Sequence, residues 1–475
     1  MATPKYSAII IGSGQSGTPL ATAFAKAGHK TVLIERSHIG GCCVNEGCTP
    51  TKTLIASGRA AYVTRRGQDY GVHTSKTGGN EVVVDMVRVR ERKRAMVESF
   101  REGSERRLRE AGVEVLRGTA RFVGPRKVMV EIGEGDERTL EGEKVFINVG
   151  ERPAKPVLEG LEGVDERRIL DSTSIQELDV VPEHLVVVGG GYVGVEFAQL
   201  FRRLGSKVTV LQRGKQILPR EDEEVAAELL KILEGEGLEI KPNTVTTGIS
   251  SPTPETLSLE IKTGETLSSI SASHILFATG RTPNTNSLNL TSTWVSTNPK
   301  GHIVVNEYLE TSCPGVYAMG DVKGPPAFTH ISYDDFRTLE KNHISPTPTT
   351  TKASTTSRLV PYVVYTDPQL GHIGLHEHEA RAKYPAHEIK TATMPMSYVA
   401  RALETDESRG LMKAVVDVGT GRILGFTCLG MEGGELMAAV QMAMVGGVKW
   451  EVLRDAVWAH PSLAESLNNL WGFLK

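Results

Sequence analysis

Apolar and polar positions along the chain form two kinds of segment: short runs that are apolar at nearly every position, and longer stretches apolar on one face. Residues 6–36, YSAIIIGSGQSGTPLATAFAKAGHKTVLIER, read as apolar strand, glycine turn, amphipathic helix and second apolar strand. Residues 184–213, HLVVVGGGYVGVEFAQLFRRLGSKVTVLQR, run the same way, so the pattern is an internal repeat that predicts two βαβ units. Residues 82–119 hold a charged helical stretch whose basic residues interleave with Glu91, Glu98, Glu102, Glu105 and Glu110, which predicts a solvated helix face rather than a nucleic-acid patch. Segments 245–276 and 285–317 are rich in Ser and Thr and alternate like antiparallel strands. Residues 346–356, PTPTTTKASTT, read as a surface linker. From Val360 a last domain follows, with strands in VPYVVYT, GLMKAVVDV and GRILGFTCLG and then a helical tail.

The turn of each repeat is G-x-G-x-x-G: Gly12, Gly14 and Gly17 in the first copy, Gly189, Gly191 and Gly194 in the second. Glycines there permit a tight turn and close backbone approach, and the helix N-terminus behind them faces a pyrophosphate. The second strand closes on Glu35 in one copy and on Gln212 in the other, each 23 positions after the first glycine. Two matched copies predict two dinucleotide sites on one chain.

Composition narrows the classes without changing this picture. A chain of 475 residues is long enough for about three domains. Its 54 Lys and Arg against 57 Asp and Glu, a net charge of -3, exclude a dedicated nucleic-acid binder. Glycine is high, 49 residues, and aromatics are 5%, which suits an α/β protein with backbone near phosphates. No apolar run reaches the roughly 18 residues of a membrane span, and Met1–Ser7 leads into a strand without a targeting segment, so a cytoplasmic protein is expected.

Five cysteines are too few for a disulfide framework, yet Cys42, Cys43 and Cys48 lie together in GGCCVNEGCTPTKT, residues 40–53. Thr49 reads as a helix cap and Pro50 as the first helical residue, which sets Cys48 at a helix N-terminus where the dipole favours a thiolate. The loop between Cys43 and Cys48 can close a small ring, and a redox-active disulfide beside a bound flavin is the functional reading. Cys42 reads as a small buried residue, the alternative being a third thiol that joins metal binding or disulfide exchange. His372, His376 and His378, near Glu377 and Glu379, have poor ligand spacing and read as surface; no metal site is expected.

Cys-x4-Cys followed by x-P-x-K, behind an N-terminal dinucleotide fingerprint, resembles the class I flavin-dependent pyridine nucleotide–disulfide oxidoreductases. The likeness continues through the second fingerprint at 189–194, ATGRTPN at 278–284, TSCPGVYAMGD at 311–321 and HPSLAE at 460–465. GCTPTKT, FTHISYDDFR and PMSYVARALETDESRG resemble mercuric-reductase-like and hypothiocyanous-acid-reductase-like members. The resemblance implies an α/β fold with two Rossmann-like dinucleotide-binding domains, for FAD and NAD(P)H, and a C-terminal α+β dimerisation domain. The boundaries expected are 1–150 and 283–357 for the FAD-binding and central parts, 151–282 for the NAD(P)H domain and 358–475 for the interface domain.

Carried over by residue, the resemblance implies FAD contacts at Gly12, Gly14, Gly17, Glu35, Gly150, Gly320 and Asp321, with Glu35 on ribose hydroxyls and Asp321 on the ribityl chain. It implies NADPH contacts at Gly189, Gly191, Gly194, Gln212, Arg213 and Gly280. Gln212 is neutral where Glu35 is acidic, and Arg213 follows it, which favours a 2′-phosphate; NADH stays possible if Gln212 bonds the ribose. Cys43 is implied as the interchange thiol and Cys48 as the flavin-facing thiol, with Lys52 near the flavin and paired with Glu196. His460 and Glu465 are implied as a base dyad serving the partner subunit of a homodimer. The reaction expected is NADPH to FAD to Cys43–Cys48, then to a disulfide or other thiol-reactive oxidant. A mercuric-type metal-ion reductase, a dihydrolipoamide dehydrogenase and a redox-silent flavoprotein are the alternatives; the lack of any cysteine after Cys428 argues against mercury.

Overall fold

Strand Lys5–Ile11 is central to a seven-stranded sheet, parallel to Thr31–Glu35 on one side and to Asp136–Ile147 on the other. Its register sets Ile9 opposite both Val32 and Val145. Ile9 and Ile11 enter one core while Ala8 and Ile10 enter another, so both faces are covered where the strand is apolar, from Ala8 to Ile11. Glu114–Arg117 and Val316–Ala318 extend the parallel part; Thr119–Gly124 and Lys127–Gly133 add an antiparallel edge. The helix behind the first glycine turn is Gly17–Lys26, and it buries Leu20, Ala21 and Phe24.

The computed structural model describes residues 3–73, 82–133, 135–344 and 351–475. By its internal contacts the chain divides into two units. Unit one comprises Met1–Thr53, Arg88–Lys155 and Gly280–Arg358; unit two comprises Leu54–Val87, Pro156–Thr279 and Leu359–Lys475.

Unit two holds the second repeat in a five-stranded parallel sheet ordered Glu239–Lys241, Lys207–Leu211, His184–Val188, His274–Phe277, Ile169–Leu170. The fingerprint helix there is Tyr192–Leu204. The alternation of 245–276 forms the expected antiparallel strands, Thr244–Thr253, Thr256–Thr263 and Thr266–Ala272. Unit two also contains a five-stranded antiparallel sheet, in order Tyr362–Val364, Gln369–Gly374, Arg422–Gly430, Leu411–Asp417, Ile389–Pro395. Helix Gly433–Val445 packs its Leu436, Met437 and Val440 into the core of that sheet.

One expectation changes. Of 285–317, only Val316–Ala318 becomes a strand; the rest is 3-10 turns and isolated bridges. Its hydroxyls explain the difference: Ser292 Oγ donates to Asn289 O at 2.9 Å and Thr293 Oγ1 to Leu290 O at 2.7 Å, local bonds that compete with a ladder. The charged stretch forms helix Met86–Glu110, whose ion pairs Arg88–Glu91 and Arg101–Glu98 lie on the solvated side. The linker 346–356 falls partly outside the described residues, which resume at Thr351.

Candidate functional site

In unit one the chain leaves its central strand at Gly12, whose φ of 98° only glycine adopts freely. A Cβ on Gly12 would stand 2.4 Å from Asn148 O, and one on Gly17 would stand 2.1 Å from Gly12 O. The turn is therefore pressed against its own sheet, and Gly12, Ser13, Gly14 and Gln15 line a cleft of about 320 Å³. Glu35 closes the next strand, buried; its Oε2 accepts from Ser13 N at 3.0 Å and Ser13 Oγ at 2.6 Å, and Oε1 accepts from Ser37 N at 2.9 Å. Gly150, Asp321, Cys42, Cys43 and Cys48 line the same cleft. Gly320, with φ of 71°, donates its N–H to Asp335 Oδ2 at 2.8 Å, and Asp335 is held by Arg358 at 2.8 Å and Lys323 at 3.3 Å. Burial pushes the Asp321 carboxyl upward, with Glu151 adding to the effect and Arg281 opposing it. A glycine cradle, a strand-end carboxylate and a second carboxylate along one cleft fit the adenosine, pyrophosphate and ribityl parts of FAD.

Cys42 and Cys43 stand on the short helix Gly41–Asn45, and Cys48 begins helix Cys48–Arg65. The helix starts two residues earlier than Pro50, because Thr51 N already donates to Gly47 O at 3.1 Å; Pro50 stays in the first turn, where no donor is needed. Cys48 thus has the N-terminal position expected of it. Cys43 and Cys48 are both thiols, hydrogen-bonded to each other, and that bond together with burial pushes the Cys43 thiol upward. Thr329 Oγ1 lies 3.5 Å from Cys48 Sγ. Cys42 is half-buried in the cleft wall, 3.5 Å from Arg281 Nη2, and burial pushes its thiol up to about 11, so it stays protonated at neutral pH.

The second fingerprint, in unit two, repeats the first. Gly189 has φ of 112°, and a Cβ on Gly194 would stand 1.9 Å from Gly189 O. Gln212, buried, accepts from Gly190 N at 3.1 Å through Oε1 and donates to Gln216 O at 3.0 Å through Nε2. Arg213 is exposed beside it, and Gly191 caps the helix. Gly280, φ 126°, falls in unit one.

His460 Nδ1 lies 2.9 Å from Glu465 Oε2 and 3.0 Å from Oε1, which leaves Nε2 outward on a side chain that is 67% exposed. Lys52, half-buried, follows Cys48 by one helical turn in unit one. Glu196, buried in unit two, accepts from Tyr365 N at 2.7 Å. The surface reading of the histidine group is corrected: His372 and His376 are buried with rings stacked 4.0 Å apart, and only His378 is exposed. His372 lies on an inner strand and His376 caps helix Glu377–Lys383, positions that sequence spacing does not reveal.

Three residues escaped the sequence. Asn148 accepts from Gly17 N at 3.0 Å and donates to Met319 O at 3.0 Å, tying the first glycine turn to the strand before Gly320. Thr329 and Asp335 are the others. Each is a single polar residue without a spacing pattern; the signal available was that FTHISYDDFR follows the Gly320–Asp321 turn.

The model of the pyridine nucleotide-disulphide oxidoreductases matches residues 6–340, and that of the dimerisation domain of the same proteins matches 360–470. The probable pyridine nucleotide-disulfide oxidoreductase RclA of Escherichia coli is 35% identical, covering 99% of this chain and 100% of its own. A mercuric reductase of Staphylococcus aureus is 32% identical over 97% of this chain and 81% of its own; a dihydrolipoyl dehydrogenase of Thermus scotoductus is 34% identical over 97% and 96%. The solved structure of the HOCl-induced flavoprotein disulfide reductase RclA from Escherichia coli superposes with a TM-score of 0.87 at 34% identity, covering 99% of this chain and 100% of that one; its Cu(II) complex gives 0.88. No helix among the described residues is long and apolar enough to cross a membrane. With both models matched in order and the relatives covered nearly end to end, the chain belongs to the pyridine nucleotide-disulphide oxidoreductase family, enzymes that use FAD and NAD(P)H.

Proposed function

We propose that the chain is an NADPH-dependent flavoprotein reductase that delivers electrons through Cys43 and Cys48 to a disulfide or another thiol-reactive oxidant, working as a homodimer. The observation that carries it is the pair of thiols in the wall of the cleft that Gly12, Gly14 and Glu35 also line. FAD, held by those glycines with Glu35, Gly150, Gly320 and Asp321, would relay two electrons from NADPH to the cysteine pair. Gly189, Gly191, Gly194, Gln212, Arg213 and Gly280 would hold the nicotinamide cofactor, and Lys52 and Glu196 keep the roles that the resemblance implies.

The chain's own groups then divide the work. The Cys43 thiolate attacks one sulfur of the acceptor and expels the other as a thiol. Cys48, its charge favoured by the helix N-terminus, attacks the mixed disulfide and closes the Cys43–Cys48 bond as the second thiol leaves. His460, oriented by Glu465 through Nδ1, has Nε2 free to take the thiol proton and return it to the leaving sulfur. In the homodimer it would serve the cysteines of the second copy. The acceptor class follows the relative induced by HOCl: strong two-electron oxidants or the disulfides they generate.

The test is NADPH turnover of the purified enzyme against low-molecular-weight disulfides, hypothiocyanous acid, quinones and metal ions. Turnover with a disulfide or hypothiocyanous acid that is lost in Cys43→Ser supports the reading. Turnover confined to quinones or metal ions and kept in that variant would refute it.

A further inference from the structure

We infer that Glu221, His372 and His376 form a binding site for a divalent first-row transition cation, Cu(II) or Zn(II). Glu221 ends the loop after the second strand of the second repeat, His372 lies on Gln369–Gly374, and His376 caps the following helix. All three belong to unit two and are buried, at 4%, 2% and 6% exposure. One ligand atom from each lies within 4.8 Å of the others.

Hydrogen bonding leaves this cluster incomplete. Glu221 Oε1 accepts from Tyr192 at 3.0 Å and from Tyr362 at 2.7 Å, but its buried Oε2 has no hydrogen-bond partner. His376 Nδ1, at the helix cap, has Asp222 Oδ2 at 3.9 Å as its charged neighbour. A buried carboxylate oxygen with no donor calls for a cation. The neighbouring ammonium, Lys413, is already shared among Asp222 at 3.0 Å, Glu224 at 2.5 Å and Glu377 at 2.8 Å. Among the described residues no ammonium or guanidinium pairs with Glu221, so a bound cation would balance its charge.

The donors select the ion. Two imidazoles and a carboxylate are a set that zinc and copper accept; the Tyr362 hydroxyl, which donates to Glu221 Oε1, accepts from His376 Nε2 at 3.2 Å and orients that ring. Metal bonds of about 2.0–2.1 Å require the ligand atoms to draw together by roughly 1.5 Å. His372 bonds Thr427 Oγ1 at 2.8 Å and Gly374 O at 3.2 Å, and the hydroxyl of Thr427 can turn away to free Nδ1. Stacked imidazoles in a metal-free polar core are the competing account, but stacking gives Glu221 Oε2 no partner.

The experiment uses oxidised, FAD-loaded enzyme treated with an alkylating agent, so that accessible thiols are closed, titrated with Cu(II) alone. One Cu(II) per chain is expected, with an electron paramagnetic resonance spectrum showing coupling to two imidazole nitrogens. Affinity should fall at least tenfold in Glu221→Gln, His372→Gln and His376→Thr, each checked for unchanged flavin content and circular dichroism. A wild-type spectrum without two coupled nitrogens, no binding below millimolar Cu(II), or unchanged affinity in all three variants would overturn the site. Should the variants not fold, the wild-type spectrum decides alone.

Discussion

The two fingerprint turns are built alike and end differently. In both, the side chain closing the second strand accepts from the amide just after the first glycine: Ser13 N to Glu35 Oε2 at 3.0 Å, Gly190 N to Gln212 Oε1 at 3.1 Å. In both, the third glycine sits against the carbonyl of the first, where a Cβ would stand 2.1 or 1.9 Å away. The divergence begins beyond that shared bond. Glu35 keeps a negative charge on the cleft and is followed by the helix that carries Cys42 and Cys43. Gln212 turns its other end back to Gln216 O, and the segment after it holds Arg213 and Lys215 and no thiol. On the proposed function the repeat would fix how a dinucleotide is held, while the residues after the second strand would decide what the site does with it.

The sharpest way to break that division is to remove the thiol that only the first copy has. Cys43→Ser should keep its flavin and lose disulfide turnover by roughly a thousandfold or more, as expected when a covalent nucleophile is deleted. Cys48→Ser should lose the long-wavelength absorbance that appears on two-electron reduction. If Cys43→Ser turns over normally, Cys42 is the interchange thiol, and the reading of Cys42 as a protonated bystander fails.

Next in size are the third glycines, which test whether the copies serve separate cofactors. Gly17→Ala should yield protein with little flavin. Gly194→Ala should stay yellow but be bleached by NADPH about a hundredfold more slowly, equivalent to about 2.7 kcal/mol. Flavin-to-protein absorbance ratios and anaerobic stopped-flow traces check both. Equal flavin loss in the two variants would mean that the copies do not act independently.

A smaller, partial effect is expected from complementation. Mixing His460→Ala with Cys43→Ser chains should restore part of the activity, because some sites of each heterodimer then have both groups intact. No recovery in heterodimers shown to form would place the dyad and the thiols in one subunit.

The sequence conveyed the repeat because its features are local: a period of apolar residues, glycines at fixed spacing and a strand-end residue at a constant distance. The position of Cys48 at a helix N-terminus was legible for the same reason, although Pro50 suggested a start two residues late. Bonds made across the chain were not legible. Asn148 is an isolated residue 131 positions from the Gly17 amide that it caps. His372 and His376 read as surface because Glu377, His378 and Glu379 make the segment polar, and only the packing of the strand and the helix cap that carry them shows that they face inward. In 285–317, hydroxyl side chains bonded their own backbone, and alternation without an apolar face did not make a sheet.

The smallest effect concerns the choice between NADPH and NADH, and here the structure redirects the expectation. Gln212 was to discriminate by being neutral, but both ends of its amide are committed, Oε1 to Gly190 N and Nε2 to Gln216 O. A glutamate there would keep the first bond and set a carboxylate oxygen against the Gln216 carbonyl, so Gln212→Glu loses a donor as well as gaining a charge. An unmet buried pair of this kind costs about 1–3 kcal/mol, and part of the loss would fall on stability, lowering kcat/KM for both cofactors. Arg213 is exposed and adjacent, and on the proposed NADPH reading its guanidinium would pair with the 2′-phosphate, which carries about −1.5 to −2 charges. Arg213→Ala should therefore lower kcat/KM for NADPH about tenfold, about 1.4 kcal/mol, and leave NADH nearly unchanged. Gln212→Glu should depress both cofactors and shift their ratio less. Steady-state kinetics of the two variants with both cofactors at low ionic strength decide the matter: a larger change in ratio from Gln212→Glu than from Arg213→Ala would return discrimination to the strand end, where Glu35 has it in the first copy.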